Sequence, residues 1–239
     1  MLCCRIGQWP TGAHAGPSPS PTSPMPSRAK LIILGTRLFA EEVADLVSDG
    51  TEYELVGFGE NWERERCSAP FLGLPVHWVD DLRPLAATHL AVCAIGTTKR
   101  APFIAQVEGF GFRFATVVHP TARISRTARV GAGSIVSAGV VVAAHTTIGR
   151  HVILNRGVLV GHHTVIGDCV TLSPAANIAG CVRIGGGTYV GMGAIVQDRV
   201  GVGANALVGA GAIVAKDVPD NVQVMGMPAR VLRTDVEGR

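Results

Sequence analysis

The sequence predicts two folded units in one chain, a small α/β layer structure followed by a three-sided parallel β-helix. Three observations predict it. An aliphatic residue recurs at every sixth position from Val118 to Val214, seventeen positions without an exception. Upstream of that run, strand-like stretches alternate with helical spacing, the pattern of a parallel sheet with crossover helices. The chain is 47% apolar, yet it has thirty glycines and only 5% aromatics. Its apolar content is therefore Val, Ile, Leu and Ala set among glycines, which suits short stacked strands better than a ring-filled core.

In chain order, residues 1–28 are rich in Pro, Ser, Thr and Gly. That composition buries too little apolar surface to offset chain entropy, so a disordered tail is expected. The α/β unit is expected over 29–117. Residues 30–35 read as a buried strand, and 38–47 have helical spacing with Glu41, Glu42 and Asp45 outward. Strands follow at 53–58 and 89–95, a helix at 101–110 and a closing strand at 113–118. A ligand crevice belongs at the carboxyl ends of such strands, which places Gly35, Thr36, Arg37, Glu60 and Asn61 as candidate substrate-binding residues.

The β-helix is expected over 118–218, with a cap and tail over 219–239. Four residues after each inward aliphatic comes only Ala, Val, Ser or Thr. One residue after it comes mostly Gly, Ala or Ser, as a chain needs if it turns a corner every six residues. Three such segments make one coil, and neighbouring coils lie one β-spacing apart, roughly 4.8 Å. Residues 18 positions apart should then stack. The residue before each inward one forms a ladder on one face of Val141, Leu159, Asn177, Ile195 and Ile213, and on a second of Ile135, Ile153, Thr171, Tyr189 and Leu207. Both are mainly apolar. The third, with Arg129, Thr147, Val165, Arg183 and Gly201, is not. Two apolar outer faces suit packing against copies of the same chain, so a homotrimer of parallel prisms is expected.

Several partners and compartments are disfavoured. A formal net charge of +3, with no basic run longer than Lys99-Arg100, argues against nucleic acid. Six cysteines include no Cys-x-x-Cys pair, which argues against a zinc ribbon or a disulfide framework and for a reducing compartment. Residues 1–28 lack a signal-peptide apolar stretch, and no later segment runs 18 apolar residues uninterrupted. The expectation is a cytoplasmic protein with neither a membrane segment nor a metal.

Within the repeat, His162 and His163 follow the inward Val160 at two and three positions, outside the core register. Gly180 lies one coil beyond His162, while His145 and Cys181 bracket His163. An imidazole beside a coil with no side chain leaves open space and an exposed backbone N–H. Those are parts that acyl transfer uses: a base active near neutral pH and a donor for an oxyanion. Cys181 offers a thiolate route as an alternative.

The chain resembles the sugar acyltransferases of the sialic acid O-acetyltransferase type, hexapeptide-repeat proteins whose relatives N-acetylate nucleotide-linked 4-amino sugars. The resemblance runs from Ala29 to Leu232. It rests on the first strand with Gly35, Gly73-Leu-Pro-Val76, Val118-His-Pro-Thr-Ala122, Gly161-His-His-Thr164, Asn177-Ile-Ala-Gly180, Gly191-Met-Gly193, Lys216-Asp-Val-Pro219 and Gly226-Met-Pro-Ala229, together with the six-residue run. It implies a Rossmann-like domain that binds a nucleotide sugar, followed by a left-handed parallel β-helix. It implies acetyl-CoA as acyl donor, with His162 as catalytic base and the Gly180 amide facing the thioester carbonyl. Acetyl-CoA would lie along Thr171, Gly180, Met192 and Ala210, in a groove between two prisms. From its position on the coils, Asn155 is either a substrate contact or an internal asparagine that stabilises a corner, and Lys216 with the 226–229 turn either meets the CoA phosphates or forms a plain end-cap.

Two positions depart from the family pattern. Where the family usually has Glu or Asp after the base, this chain has His163, so either His162 is a weaker base or the catalytic role is shared by the two histidines. Where the family tends to have a glycine-rich turn after the first strand, only Gly35 remains, with Arg37 nearby as a charge. Three rivals stand beside this reading. A zinc hydratase of the γ carbonic anhydrase type would use His145, His162 and His163, but needs two histidines five residues apart. A non-catalytic trimeric scaffold with a ligand-sensing head would show no saturable acetyl-CoA binding. O-acetylation of a sugar hydroxyl would use the same residues.

Overall fold

The computed structural model describes residues 28–239, so the tail expected over 1–28 lies, but for Arg28, outside the described residues. The first unit runs β1 (Ala29–Leu34), α1 (Leu38–Ser48), β2 (Tyr53–Glu60), β3 (Val76–Trp78), β4 (Leu90–Cys93), α2 (Ala101–Glu108) and β5 (Arg113–Phe114). All five strands are parallel, in the order β3-β2-β1-β4-β5. Helices cover both faces of this sheet, so its central strand is apolar on both sides. Leu31 and Ile33 pack with Val43 and Val47 of α1, while Ile32 and Leu34 pack with Phe103 and Val107 of α2.

Two elements differ from the sequence expectation. β3 was not expected, because three residues are too few to show a period. The closing strand expected over 113–118 is two strands. Ala115 N–H donates to Ala91 of the first sheet (2.9 Å), whereas Val117 N–H donates to Ser134 of the β-helix (2.9 Å). The chain changes sheets within two residues.

From Val117–Val118 onward the chain is a left-handed parallel β-helix of two-residue strands in three parallel sheets. Register is 18 residues from Val117 to Val214, as where Val141 pairs Leu159, Leu159 pairs Asn177 and Asn177 pairs Ile195, and it shortens at the foot, where Leu207 pairs Gln223. The inward aliphatics from Val136 to Val214 form one core with the small residues four positions after them. Val118, at the open upper end, is 39% exposed although it holds the inward register. From Gly133 to Gly211, each corner places its third residue after the inward position in the left-handed region. Glycine occupies it at 133, 139, 157, 187, 193 and 211, but His145, His151 and His163 (φ 56–59°) adopt it without glycine's freedom. Buried hydroxyls sew the coils together: Thr146 Oγ1 donates to the Gly161 carbonyl (2.8 Å) and Thr164 Oγ1 to that of Ala179 (3.0 Å).

The expectation that both apolar faces meet other copies is corrected for one of them. The second face is covered by the chain's own α/β unit: Ile135 and Ile153 are 1% exposed and share a cluster with Val43, Val92 and Ala115. Sequence spacing shows that a face is apolar, not what covers it. The first face stays open, with Val141, Leu159 and Ile195 about 40% exposed.

A fully buried arginine holds the two units together. Arg100, just before α2, is 1% exposed. It donates to the carbonyls of Thr97 (2.7 Å), His151 (2.7 Å) and Val170 (3.0 Å) and to Thr171 Oγ1 (2.8 Å). No carboxylate pairs with it among the described residues; burial lowers its pKa, and four acceptors stabilise the cation instead. At the foot of the prism, Gln223–Gly226 joins the second face and pairs antiparallel with Ala229–Arg233. Residues 234–239 then run back up a corner, where Val236 N–H donates to Asn221 and Gly238 N–H to Asn205.

Candidate active site

The site begins with the corner between the first and third faces. His162 and Gly180 occupy the same corner position on successive coils, and the carbonyl of His162 accepts the Cys181 N–H (2.8 Å). Thr146 and Thr164 hold the flanking carbonyls, so the backbone beneath the ring is fixed from inside. The Cε1–Nε2 edge of His162 lies directly on Gly180. A Cβ there would stand 2.8 Å from both atoms, so only glycine leaves room for the ring. Among the described residues, the Gly180 N–H donates to no acceptor.

The other edge of the ring meets His163, with Nδ1 to Nδ1 at 3.1 Å. The His163 ring is tilted against His145 at 4.9 Å between centroids. Three imidazoles thus line one exposed corner. No group of His, Cys, Asp or Glu among the described residues is arranged to hold a metal ion.

The other predicted residues gather elsewhere. Asn155, Thr171 and Met192 line a cleft of about 340 Å³ between the α/β unit and the prism, with Phe39, Gly96 and Thr97 on its far wall. Met192 and Ala210 share a second cleft of about 220 Å³ that continues along the same corner. Tyr189 and Arg239 border both. Because Thr171 Oγ1 accepts from Arg100, its own hydroxyl hydrogen is left to be donated. Asn155 accepts the Arg156 N–H through its side-chain oxygen (2.7 Å), leaving its NH2 without a protein acceptor among the described residues. These clefts lie at the corner between the second and first faces. His162 and Gly180 lie at the opposite edge of the first face, so one chain does not bring the two sets together. Lys216 and the turn at Pro228 line a separate cavity at the foot of the prism.

The crevice residues Gly35, Thr36, Arg37, Glu60 and Asn61 do converge at the carboxyl ends of β1 and β2. Their polar atoms are largely engaged with one another. Thr36 Oγ1 donates to Glu60, whose other oxygen accepts the N–H groups of Asn61 (3.0 Å) and Trp62 (2.7 Å). Arg37 is paired with Glu63 at 2.7 Å and stacks over Trp62, and Arg66 binds Glu63 from the other side. The Arg66 and Arg37 bonds lower the Glu63 pKa from its ordinary value.

Sequence reasoning missed Phe39, Gly96, Thr97, Arg100, Tyr189 and Arg239. For Gly96 and Thr97 a signal existed, since they lie just beyond the carboxyl end of β4, after Ala94 and Ile95, on the same edge of the sheet as Gly35 and Thr36. For the two arginines there was none.

No protein-family model matches the chain, and no curated protein sequence does either. Among solved structures it is similar to a histidine-to-asparagine variant of perosamine N-acetyltransferase from Caulobacter crescentus, in complex with CoA and GDP-perosamine. Identity is 30% over 85% of this chain and 97% of that one, with a TM-score of 0.79. It is likewise 30% identical to the acetyltransferase domain of PglB from Neisseria gonorrhoeae FA1090 in complex with acetyl coenzyme A, over 86% and 100% of the two chains at a TM-score of 0.79. WeeI from Acinetobacter baumannii AYE is 25% identical over 84% and 99%, with a TM-score of 0.63.

Proposed function

The chain belongs to the hexapeptide-repeat sugar acyltransferases of the sialic acid O-acetyltransferase type, and from that premise we propose that it moves an acetyl group from acetyl-CoA to the amino group of a nucleotide-linked sugar. The observation that carries this reading is the His162 ring lying on Gly180, whose N–H has no acceptor among the described residues. With the Nδ1 proton of His162 donated to His163 Nδ1, the His162 Nε2 lone pair is free on the Gly180 side. Nε2 then takes a proton from the sugar amine as its nitrogen attacks the thioester carbon. The C–N bond forms, and the carbonyl oxygen becomes an oxyanion that the Gly180 N–H stabilises. Collapse breaks the C–S bond, and the imidazolium returns the proton to the CoA thiolate. His163 fixes the tautomer, the part that a carboxylate plays in the family, without a negative charge.

The donor runs along the corner cleft with Met192 and Ala210, and the nucleotide sugar enters the cleft between the two units, near Asn155 and Thr171. Since these clefts stand a face away from His162, the reading includes a homotrimer in which the open first face meets the next copy and each site takes its base from one chain and its clefts from another. N-acetylation is preferred to O-acetylation because the perosamine enzyme is an N-acetyltransferase.

The test is thiol release from acetyl-CoA with a panel of UDP- and GDP-linked 4-amino sugars, on wild type, His162→Ala and His163→Ala. Turnover with at least one acceptor is expected, about 10²- to 10⁴-fold slower in His162→Ala, with a smaller loss in His163→Ala. An intact rate in His162→Ala alongside its loss in His163→Ala overturns the assignment. Absence of saturable acetyl-CoA binding leaves the scaffold reading instead.

A further inference from the structure

Resting on the reading above, in which donor and acceptor each carry a diphosphate, we propose that Arg239 receives a diphosphate where the two clefts meet. Arg239 borders both clefts and is the only charged side chain lining either among the described residues. Its guanidinium lies 4.9 Å from the centroid of the Tyr189 ring, and Nη1 donates to the Tyr189 hydroxyl at 2.6 Å. No carboxylate among the described residues pairs with it. Its remaining N–H donors are therefore available in a planar fork, the geometry that binds phosphate oxygens in pairs.

The segment carrying this cation is fixed to both units. Gly238 N–H donates to Asn205 of the prism (2.8 Å). Arg239 N–H donates to Thr98 Oγ1 (2.9 Å), and the Thr98 N–H donates to the Arg239 main-chain oxygen (2.9 Å). Gly238 sits at φ +65°, where a Cβ would fall 2.2 Å from Thr98 Oγ1 and 2.5 Å from the Gly187 carbonyl, so a glycine is required for the chain to approach this closely. Two other arginines, both of the α/β unit, are engaged. Arg37 is paired with Glu63, and the donors of Arg100 are directed at carbonyls and Thr171. The clefts remain open on both sides of Arg239, at about 340 and 220 Å³, so the segment lines the groove rather than filling it.

The experiment is equilibrium titration of wild type, Arg239→Ala, Arg239→Lys and Gly238→Ala with three probes: CoA, GDP and UDP. Arg239→Ala is expected to weaken CoA, a nucleoside diphosphate, or both, by about ten- to a hundredfold, the worth of charge-assisted hydrogen bonds. The probe that loses affinity identifies which ligand's diphosphate is held. Arg239→Lys should recover only part of the loss, and Gly238→Ala should match Arg239→Ala by displacing an intact arginine. Affinities within threefold of wild type for all three probes overturn the inference. So does tighter binding by Arg239→Ala, which would make the segment a plug that ligands displace. Thiol release by wild type separates the two layers: turnover that is unaffected by Arg239→Ala removes only this inference, while no turnover and no CoA binding by wild type removes the acyl-transfer reading beneath it.

Discussion

Replacing Gly180 by alanine tests the reacting pair with a single methyl group. The backbone at Gly180 lies outside the left-handed region, so alanine brings no conformational strain there. Its Cβ would stand 2.8 Å from Cε1 and Nε2 of His162, whereas ordinary contact begins at 3.4 Å, so the ring must retreat by at least about 0.6 Å. That shift pulls Nε2 from the thioester position and disturbs the 3.1 Å bond to His163. Displacements near 1 Å in a reacting group cost about a hundredfold, so kcat is expected to fall about ten- to a hundredfold. The corner is exposed, so the melting temperature should move by no more than about 2–4 °C. The assay is acetyl-CoA thiol release, with melting as the control for folding. The double variant His162→Ala/Gly180→Ala should be no slower than His162→Ala alone, because both changes disable one pair. A Gly180→Ala enzyme within threefold of wild-type kcat, or full additivity in the double variant, would refute the pairing of this ring with this amide.

Arg100→Met removes a donor from three carbonyls and from Thr171 Oγ1 at the junction of the two units, the Val170 carbonyl keeping the Ile153 N–H, and should destabilise the protein by about 3–5 kcal/mol; at about 2–4 °C per kcal/mol, calorimetry should show a fall of some 6–20 °C. Arg100→Lys should recover little of it, since an ammonium lacks the planar fork that reaches all four acceptors. His151, buried against Phe114 with neither ring nitrogen hydrogen-bonded among the described residues and Glu108 3.6 Å from Nε2, has its pKa lowered from 6.5, chiefly by burial and next by Arg150, with Glu108 opposing and Arg100 adding. The unfolded chain therefore binds its proton first, so this contribution to stability is complete above about pH 6.5 and is lost as pH falls below it. Denaturation midpoints between about pH 7.5 and 5.5 should decline less steeply in His151→Asn, which keeps a residue tolerant of the left-handed corner, than in wild type; equal slopes would assign the decline to other groups.

The β-helix was legible because each inward position has one requirement, an aliphatic side chain, and meets it every six residues. His162 and Gly180 were legible for the same reason, since a fixed 18-residue register turns sequence spacing into contact. The α/β unit was legible where strands were long enough to show a pattern, and β3 was not. What covers the second face could not be read, because Ile135 and Ile153 present the same apolar ladder to a domain of their own chain as they would to a copy. Arg100 and Arg239 were hidden for opposite reasons. A lone arginine in a polar stretch reads as solvated surface, yet Arg100 is buried by acceptors on its own segment and on two coils of the prism, and Arg239 gains its position from Thr98, Tyr189 and Asn205, residues distant in sequence and distinguished by no motif.

The separation of the base from the clefts makes assembly part of the chemistry. In one chain, His162 stands at one edge of the first face and Met192 and Ala210 at the other, with Val141, Leu159 and Ile195 exposed between them. If the next copy closes on that face, a variant lacking the base and a variant with a blocked cleft should restore one another. His162→Ala supplies the first. Ala210→Trp supplies the second, filling a cleft of about 220 Å³ at an exposed position. Each should be nearly inactive alone. Mixed in equal amounts and allowed to exchange subunits, about one interface in four receives an intact base from one chain and an intact cleft from its neighbour, so about a quarter of wild-type activity should return. A site complete within one chain predicts no recovery, since every chain in the mixture carries one lesion.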